Sequence, residues 1–408
     1  MGRGVSPLDD ELALRPGPYS PYLQQCLVRL GTWLPFAQVP DALGWFTQVA
    51  VSRESARRLT ERAGAALVAQ ETAQVEHLEQ TWPPPARIPT DLHQLSVDGA
   101  MVPLVRGEWA EVKTLAIGRV VQRGGEPHAT ELSYFSRLAD ADTFGRLAWG
   151  ETHRRGLTLA PRVCAIVDGA DWCQTFITRH CPDAVRILDF PHAAGYVSAA
   201  AQAMFGPGTA AASAWLGPQL HTLKHADPAP VVAALRALPV AESLTPDTAR
   251  EKRDTAVGYL AARLGQMQYG QFRAAGYPIG SGAVESANKL VVEARLKGSG
   301  MHWARPNVNP MVALRALACS DRWAEGWAQI WAQWDADKAV ARQARHAARR
   351  PVAPPTAPPS PSPDRATARR TVARLRLGRG TGSRPAADHP WRTRFLRPRS
   401  TEAAPAKT

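Results

Sequence analysis

A chain of 408 residues is long enough for two or three domains of ordinary size and a substantial buried core. Its formal charge of +13 is local: from Lys338 onward 17 Lys/Arg stand against 3 Asp/Glu, whereas the residues before it carry 32 against 33. The charge therefore predicts a polyanionic partner for the tail alone, and a DNA-binding body has to be argued from sites rather than from the isoelectric point. No run approaches the ~18 consecutive apolar residues of a membrane helix, and Met1 to Pro7 lack the apolar segment of a leader, so no membrane partner and a cytoplasmic location are expected. Five cysteines without a Cys-x-x-Cys pair argue against a disulfide framework and a zinc ribbon, and Cys173, His180 and Cys181 lack a fourth ligand.

The first region, 1–85, is expected to be helical. Tyr22, Leu27, Leu30, Trp33 and Leu34, and then Leu43, Phe46 and Val49, recur at helical spacing. A turn near Val49 to Val51 precedes Ser52, a good helix N-cap, and then Arg53, Arg57, Arg58 and Arg62 along one short helix. The span 36–66 thus reads as a helix-turn-helix with a basic second helix, in which Arg53, Arg57 and Arg58 contact DNA; an ordinary helical hairpin with a solvated charged face fits the same residues equally well. Trp82-Pro83-Pro84-Pro85 marks a linker.

After the linker the pattern changes to strands. Leu92 to Val97 is an apolar run ending in Asp98-Gly99, followed by strand candidates at Met101 to Val105, Val112 to Val121 and Ser133 to Leu138. Asp140 to Arg155 reads as a helix, Arg162 to Val167 as a buried strand ending in Asp168-Gly169, Trp172 to Thr178 as a helix, and Ala184 to Leu188 as a strand ending at Asp189. The region 90–190 is therefore an α/β core with acids at strand ends, where side chains are displayed by a rigid scaffold. Residues 191–275 are Ala-rich and helical, either an inserted domain or a second helical layer, and 276–335 return through a Gly-rich loop to a helix from Val284 to Leu296. The tail, 336–408, is rich in Pro, Ala and Arg with few aliphatic residues to bury, and is expected to be disordered.

Phosphodiester chemistry needs an activated oxygen nucleophile and a stabilised leaving oxygen, and two Mg²⁺ ions ~3.5 to 4 Å apart supply both. Mg²⁺ is held by a few carboxylates together with waters and phosphate oxygens. Asp98 and Asp168 share a Val-Asp-Gly-Ala context. A single Asp-Gly is usually a turn, but two in one context are harder to dismiss. The third acid is expected from Gly280-Ser281-Gly282-Ala283-Val284-Glu285, with Glu285 in the first helical turn and Asn288, Lys289, Val292 and Leu296 on its face. That face would place an amide and an ammonium beside the acid, suited to a phosphate backbone. Glu293 is a rival for the third acid and Asp189 for the second; Asp189 has a plausible hydrogen-bond partner in His192, which reads equally as a proton shuttle.

Four segments in order, Ser96-Val-Asp-Gly-Ala-Met, Ala165-Ile-Val-Asp-Gly-Ala-Asp-Trp, Ile187-Leu-Asp-Phe-Pro-His and Gly280-Ser-Gly-Ala-Val-Glu-Ser-Ala-Asn-Lys, resemble insertion-sequence transposases of the ISKra type, relatives of the Mutator-like group. The resemblance runs from about Pro7 through Trp323. It implies a ribonuclease H-like mixed sheet flanked by helices, with an all-helical insertion and an N-terminal helical region. It also implies a catalytic and metal-binding triad of Asp98, Asp168 and Glu285, and a Mg²⁺ or Mn²⁺ cofactor, two ions in number. Asp189-x-x-His192 matches the signature that follows the second catalytic acid. Arg295-Leu-Lys-Gly-Ser-Gly-Met-His-Trp303 also resembles the family, and Arg295, Lys297 and Trp303 join Asn288 and Lys289 as expected DNA contacts. Members often carry a cysteine-rich zinc-binding segment near the start; only Cys26 precedes Cys164 here, which predicts a shortened N-terminus.

The expected activity is cleavage of transposon ends and strand transfer to target DNA, without a covalent protein intermediate. The partners would be double-stranded DNA, as terminal inverted repeats and target, and further copies of the chain in a synaptic complex at the bacterial nucleoid. Two alternatives stand beside it: a nuclease or resolvase of the same fold that does not join ends, and a noncatalytic DNA-binding protein derived from a decayed transposase.

Overall fold

The computed structural model describes residues 19–85, 90–240, 243 and 245–348. The expectations for the basic tail from 349 onward and for residues before 19 lie outside the described residues. Helix α1 (Pro21–Trp33) starts at Ser20, whose hydroxyl accepts from the Leu23 amide, and α2 (Val39–Thr47) follows. Helix α3 (Arg53–Thr81) is capped by Ser52, which accepts from the Ser55 amide at 3.0 Å. Such a cap contributes ~1 kcal/mol. At 29 residues α3 is far longer than the short recognition helix read from the sequence. It serves as a packing element, burying Ala63, Ala66 and Leu67 against the two C-terminal helices, α13 (Arg305–Cys319) and α14 (Trp323–Ala348). Helix α14 runs on to Ala348, so the boundary at 336 was set too early; Trp327, Ile330 and Trp334 recur at helical spacing and anchor it to α3.

Between these helices lies a five-stranded mixed sheet in the order β3-β2-β1-β4-β5. Strands β1 (Leu92–Pro103), β2 (Trp109–Arg123) and β3 (Glu126–Arg137) form an antiparallel meander. Strands β4 (Arg162–Val167) and β5 (Val185–Leu188) extend the sheet parallel to β1. The fold is thus α/β, with helices on both faces. One face buries Leu95, Val97, Leu115, Ile117, Ala165 and Val167 under α4 (Ala141–Leu147) and α6 (Asp171–His180). Helix α5 (Trp149–Arg154) makes the single helix expected over 140–155 into two.

The opposite face is covered in two parts. Helices α7 (Phe190–Phe205), α8 (Ala210–His225), α9 (Ala229–Arg236), α10 (Pro246–Ala261) and α11 (Tyr269–Ala274) share one core with Leu92, Cys164, Ile166 and Ile187 of the sheet. The Ala-rich segment is therefore a second helical layer on the sheet rather than a domain with its own separate core. Further along, α12 (Gly282–Ala287), a π-helical turn (Asn288–Glu293) and a last α turn (Ala294–Leu296) lie with α13 over Ala100, Val102, Val112 and Ala116. Among the described residues no helix is long and apolar enough to cross a membrane.

Candidate active site

Strand register brings the first two acids together. β1 and β4 pair in parallel from Leu92↔Arg162 to Leu95↔Ala165, and three further residues along each chain stand Asp98 and Asp168. The next pairing, Val167↔Leu188, puts Asp189 one step further across the sheet. Adjacent strands lie ~4.8 Å apart, so in-register residues on the same face are neighbours. Asp98 shares the strand face of Ala100 and Val102, whereas Asp168 stands one residue past β4 and its carboxylate reaches Cys173 of α6, the helix over the other face.

The local backbone differs between the two. Asp98 does not end a strand: β1 continues to Pro103, with Asp98 opposite Thr114 and Gly99 opposite Lys113 of β2. Asp98 marks instead the point where β4 stops and β1 carries on. Asp168 does end its strand, and Gly169 turns the chain with φ +84°. The Asp168 carboxylate accepts from the Ala170 amide at 3.0 Å and from the Cys173 thiol at 3.6 Å through the same oxygen, Oδ1. Burial holds that thiol protonated, with the nearby Asp168 charge adding to the effect.

Asp98 is half-buried, and its carboxyl is held above the usual range chiefly by burial, with the negative charges of Asp168 and Glu285 adding to the shift. Two hydrogen bonds oppose it: the Gly99 amide donates to Oδ1 at 2.7 Å and the Asn288 side-chain amide to Oδ2 at 2.8 Å. Glu285, in the first turn of α12, is exposed, and its Oε1 accepts from the Ser281 hydroxyl at 3.4 Å. Among the described residues no Lys, Arg or His pairs with Asp98, Asp168 or Glu285. Lys113, opposite Gly99 on β2, pairs with Glu111 instead.

Asp189 has another task. It is 3% exposed, its Oδ2 accepts from the His192 backbone amide at 2.9 Å to cap α7, and its Oδ1 accepts from the Ser281 amide at 2.6 Å. It thereby ties α7 to the loop that leads into the Glu285 helix. The His192 ring does not contact this carboxylate; it stands edge-on to Tyr196 and Tyr259, with centroids 5.3 and 5.8 Å away.

As a ligand set for Mg²⁺, three carboxylates unpaired by any cation have the right chemistry, because a hard divalent ion takes oxygen donors and would relieve their mutual repulsion. The geometry is less complete. Among the described residues no group of three or more Asp, Glu, His or Cys stands together in a metal-holding arrangement. Asp98 and Asp168 are fixed by amides, while Glu285 sits on the exposed side of its helix, where its side chain can turn.

Several expected DNA contacts lie elsewhere. Arg295 is 2% exposed; its Nε donates to the Gly31 carbonyl at 3.2 Å and its guanidinium stacks on Phe36 and Trp303. Trp303 is 7% exposed, with its indole N–H given to the Leu296 carbonyl at 3.2 Å. Both are core groups rather than backbone or base contacts. Asn288 is likewise buried and serves Asp98. The π-helical turn breaks the shared face expected from 285 to 296: Glu285 and Lys289 are exposed, whereas Asn288, Val292 and Leu296 are buried. Lys297 pairs with Glu293 at 2.7 Å, Arg57 with Glu54 and Glu61, and Arg58 with Glu54. Arg53 and Lys289 are exposed.

Two residues near the acids were not singled out from the sequence, Tyr259 and Arg263 of the α10 end, which bond to the Asp168-Gly169 carbonyls. A tyrosine in the last turn of a helix and an arginine just past it give no signal in the sequence of what they face. Comparison with protein-family models finds no match, and comparison with curated proteins finds none either.

Proposed function

We propose that this chain is a DDE-type DNA transposase, built on a ribonuclease H-like core, that cuts the ends of a bacterial insertion sequence and joins them to target DNA. The observation that carries the reading is that Asp98 and Asp168 each stand three residues beyond the last β1–β4 pair, near enough to each other and to Glu285 for both charges to act on Asp98, with no cation pairing any of the three among the described residues. The sheet order, a three-strand meander extended by two parallel strands, is in keeping with such a core.

Asp98, Asp168 and Glu285 would hold Mg²⁺ or Mn²⁺, which when bound supplies an activated oxygen nucleophile and stabilises the leaving oxygen. The chain's own residues set up the site. Asn288 and the Gly99 amide orient Asp98, the Ala170 amide orients Asp168, and Asp189 fixes the loop that presents Glu285. Exposed Lys289 on the Glu285 helix, and Arg53 at the start of α3, are left to attract the phosphate backbone.

One observation favours a second reading, a noncatalytic DNA-binding protein: no three-ligand group stands ready among the described residues. Full-length protein incubated with DNA carrying the element's ends, with Mg²⁺ or Mn²⁺, separates the readings. The transposase reading expects cleavage and end joining by the wild type and neither by Asp98→Asn, Asp168→Asn or Glu285→Gln. Binding without cleavage in every form establishes the noncatalytic reading, and cleavage without joining establishes a nuclease.

A further inference from the structure

We propose that the end of α10 and the turn that follows it position the second acid, with Tyr259 and Arg263 acting as a latch on the Asp168-Gly169 turn. The proposal rests on the metal-site reading above and names two positioning residues for it. The Tyr259 hydroxyl donates to the Asp168 carbonyl, and Arg263 Nη2 donates to the Gly169 carbonyl at 3.0 Å. Two consecutive carbonyls of one turn are thus held together, one by a side chain in the last turn of α10 and the other by a side chain two residues past its end.

The latch is itself braced. Arg263 Nη1 donates to the Tyr259 carbonyl at 3.0 Å, and its guanidinium lies 3.9 Å from the Tyr259 ring centroid. On its other side Tyr259 stacks on Tyr196 of α7, at 4.2 Å and 16° between planes. Gly169 completes the fit: a Cβ there would stand 2.5 Å from the Tyr259 hydroxyl and 2.8 Å from Arg263 Nε. The latch takes only main-chain oxygens, so it fixes where the Asp168 side chain starts without neutralising its carboxylate.

The test uses the full chain with Tyr259→Phe, Arg263→Met and the charge-keeping Arg263→Lys, and has two readouts. Hydrogen exchange of the segment 168–172 is measured without metal, and Mn²⁺ binding is measured by calorimetry without DNA. The latch predicts faster exchange there by about tenfold in Tyr259→Phe and Arg263→Met, and Mn²⁺ affinity weakened by roughly 10- to 100-fold, the usual effect of losing an outer support of a metal ligand, with partial recovery in Arg263→Lys. Folded variants with wild-type exchange at 168–172 and Mn²⁺ affinity within about twofold overturn it, since a purely structural loss lowers the melting midpoint and leaves metal affinity alone. Should Arg263→Met fail to fold, Tyr259→Phe removes a single hydroxyl and decides the matter. A wild type that takes up no Mn²⁺ refutes the metal-site reading instead, while the exchange measurement still judges the latch.

Discussion

Replacing Asn288 by Leu isolates the hydrogen bond that holds the first acid. Asn288 is 6% exposed and donates to Asp98 Oδ2 at 2.8 Å, while its own Oδ1 is buried and has no partner. A hydrogen bond to an ionised group contributes ~1.5 to 3 kcal/mol, and one pKa unit corresponds to ~1.4 kcal/mol, so full loss amounts to between one and two units. Asp98 is only half-buried and solvent screens part of this, so about one unit is expected. The sign follows from the ionised form being the one stabilised: Asp98 already lies above its usual 3.8 through burial and the Asp168 and Glu285 charges, and the variant moves it higher. A raised carboxyl removes stability as pH climbs from its unfolded value to its folded one, so the destabilised window widens upward. Metal binding needs the ionised acid, so the midpoint of a Mn²⁺ binding profile against pH should rise by about one unit. The fold should lose about 1 to 2 kcal/mol at neutral pH, because Asp98 Oδ2 is left without its donor while the loss of the unsatisfied Asn288 oxygen offsets part of that. A binding midpoint that stays put or falls refutes the role given to Asn288.

Gly64→Ala tests the crossing of α3 over α13, where a Cβ would stand 2.2 Å from the Pro310 carbonyl oxygen; a urea midpoint shift equivalent to ~1 to 3 kcal/mol of destabilisation is expected, against the helix preference for alanine. His93 is fully buried in β1 with neither ring nitrogen bonded, and burial pushes it down to about 4. A depressed histidine stays neutral in the fold and charges on unfolding, so stability should fall between about pH 6.5 and 4, and His93→Leu should flatten that limb of a melting-temperature profile. Arg53→Gln and Lys289→Gln should each lower the slope of log affinity for DNA against log salt by about 0.9 with no loss of stability, whereas Arg295→Gln should lower the melting temperature, because its guanidinium is packed between Phe36 and Trp303.

The apolar runs of the middle region gave the strand and helix order because a buried sheet writes itself as short aliphatic segments, and the paired Val-Asp-Gly contexts marked the two acids that stand three residues past the last β1–β4 pair. Asp98 was read as a strand end because glycine usually punctuates; in fact β2 pairs straight through Gly99, where the glycine leaves room for the Glu111 side chain. Arg295 and Trp303 looked like nucleic-acid ligands because basic and aromatic residues in a Gly-rich stretch are normally exposed; the aromatic partner that buries them, Phe36, is remote in sequence. The π-helical turn at Asn288 likewise defeats a count at 100° per residue and aims Asn288 at Asp98 while Lys289 stays outside. Tyr259 and Arg263 were invisible for the same reason, since what they hold lies about ninety residues earlier in the chain.

The most direct measurement is a crystal structure of the chain soaked in Mn²⁺, read by anomalous scattering. The account predicts a peak bridging the carboxylates of Asp98 and Asp168, at the ~2.0 to 2.2 Å of a hard cation on oxygen, with Glu285 turned to join it. No peak there at saturating Mn²⁺, or one held by Asp189 with Asp168 left free, would contradict it.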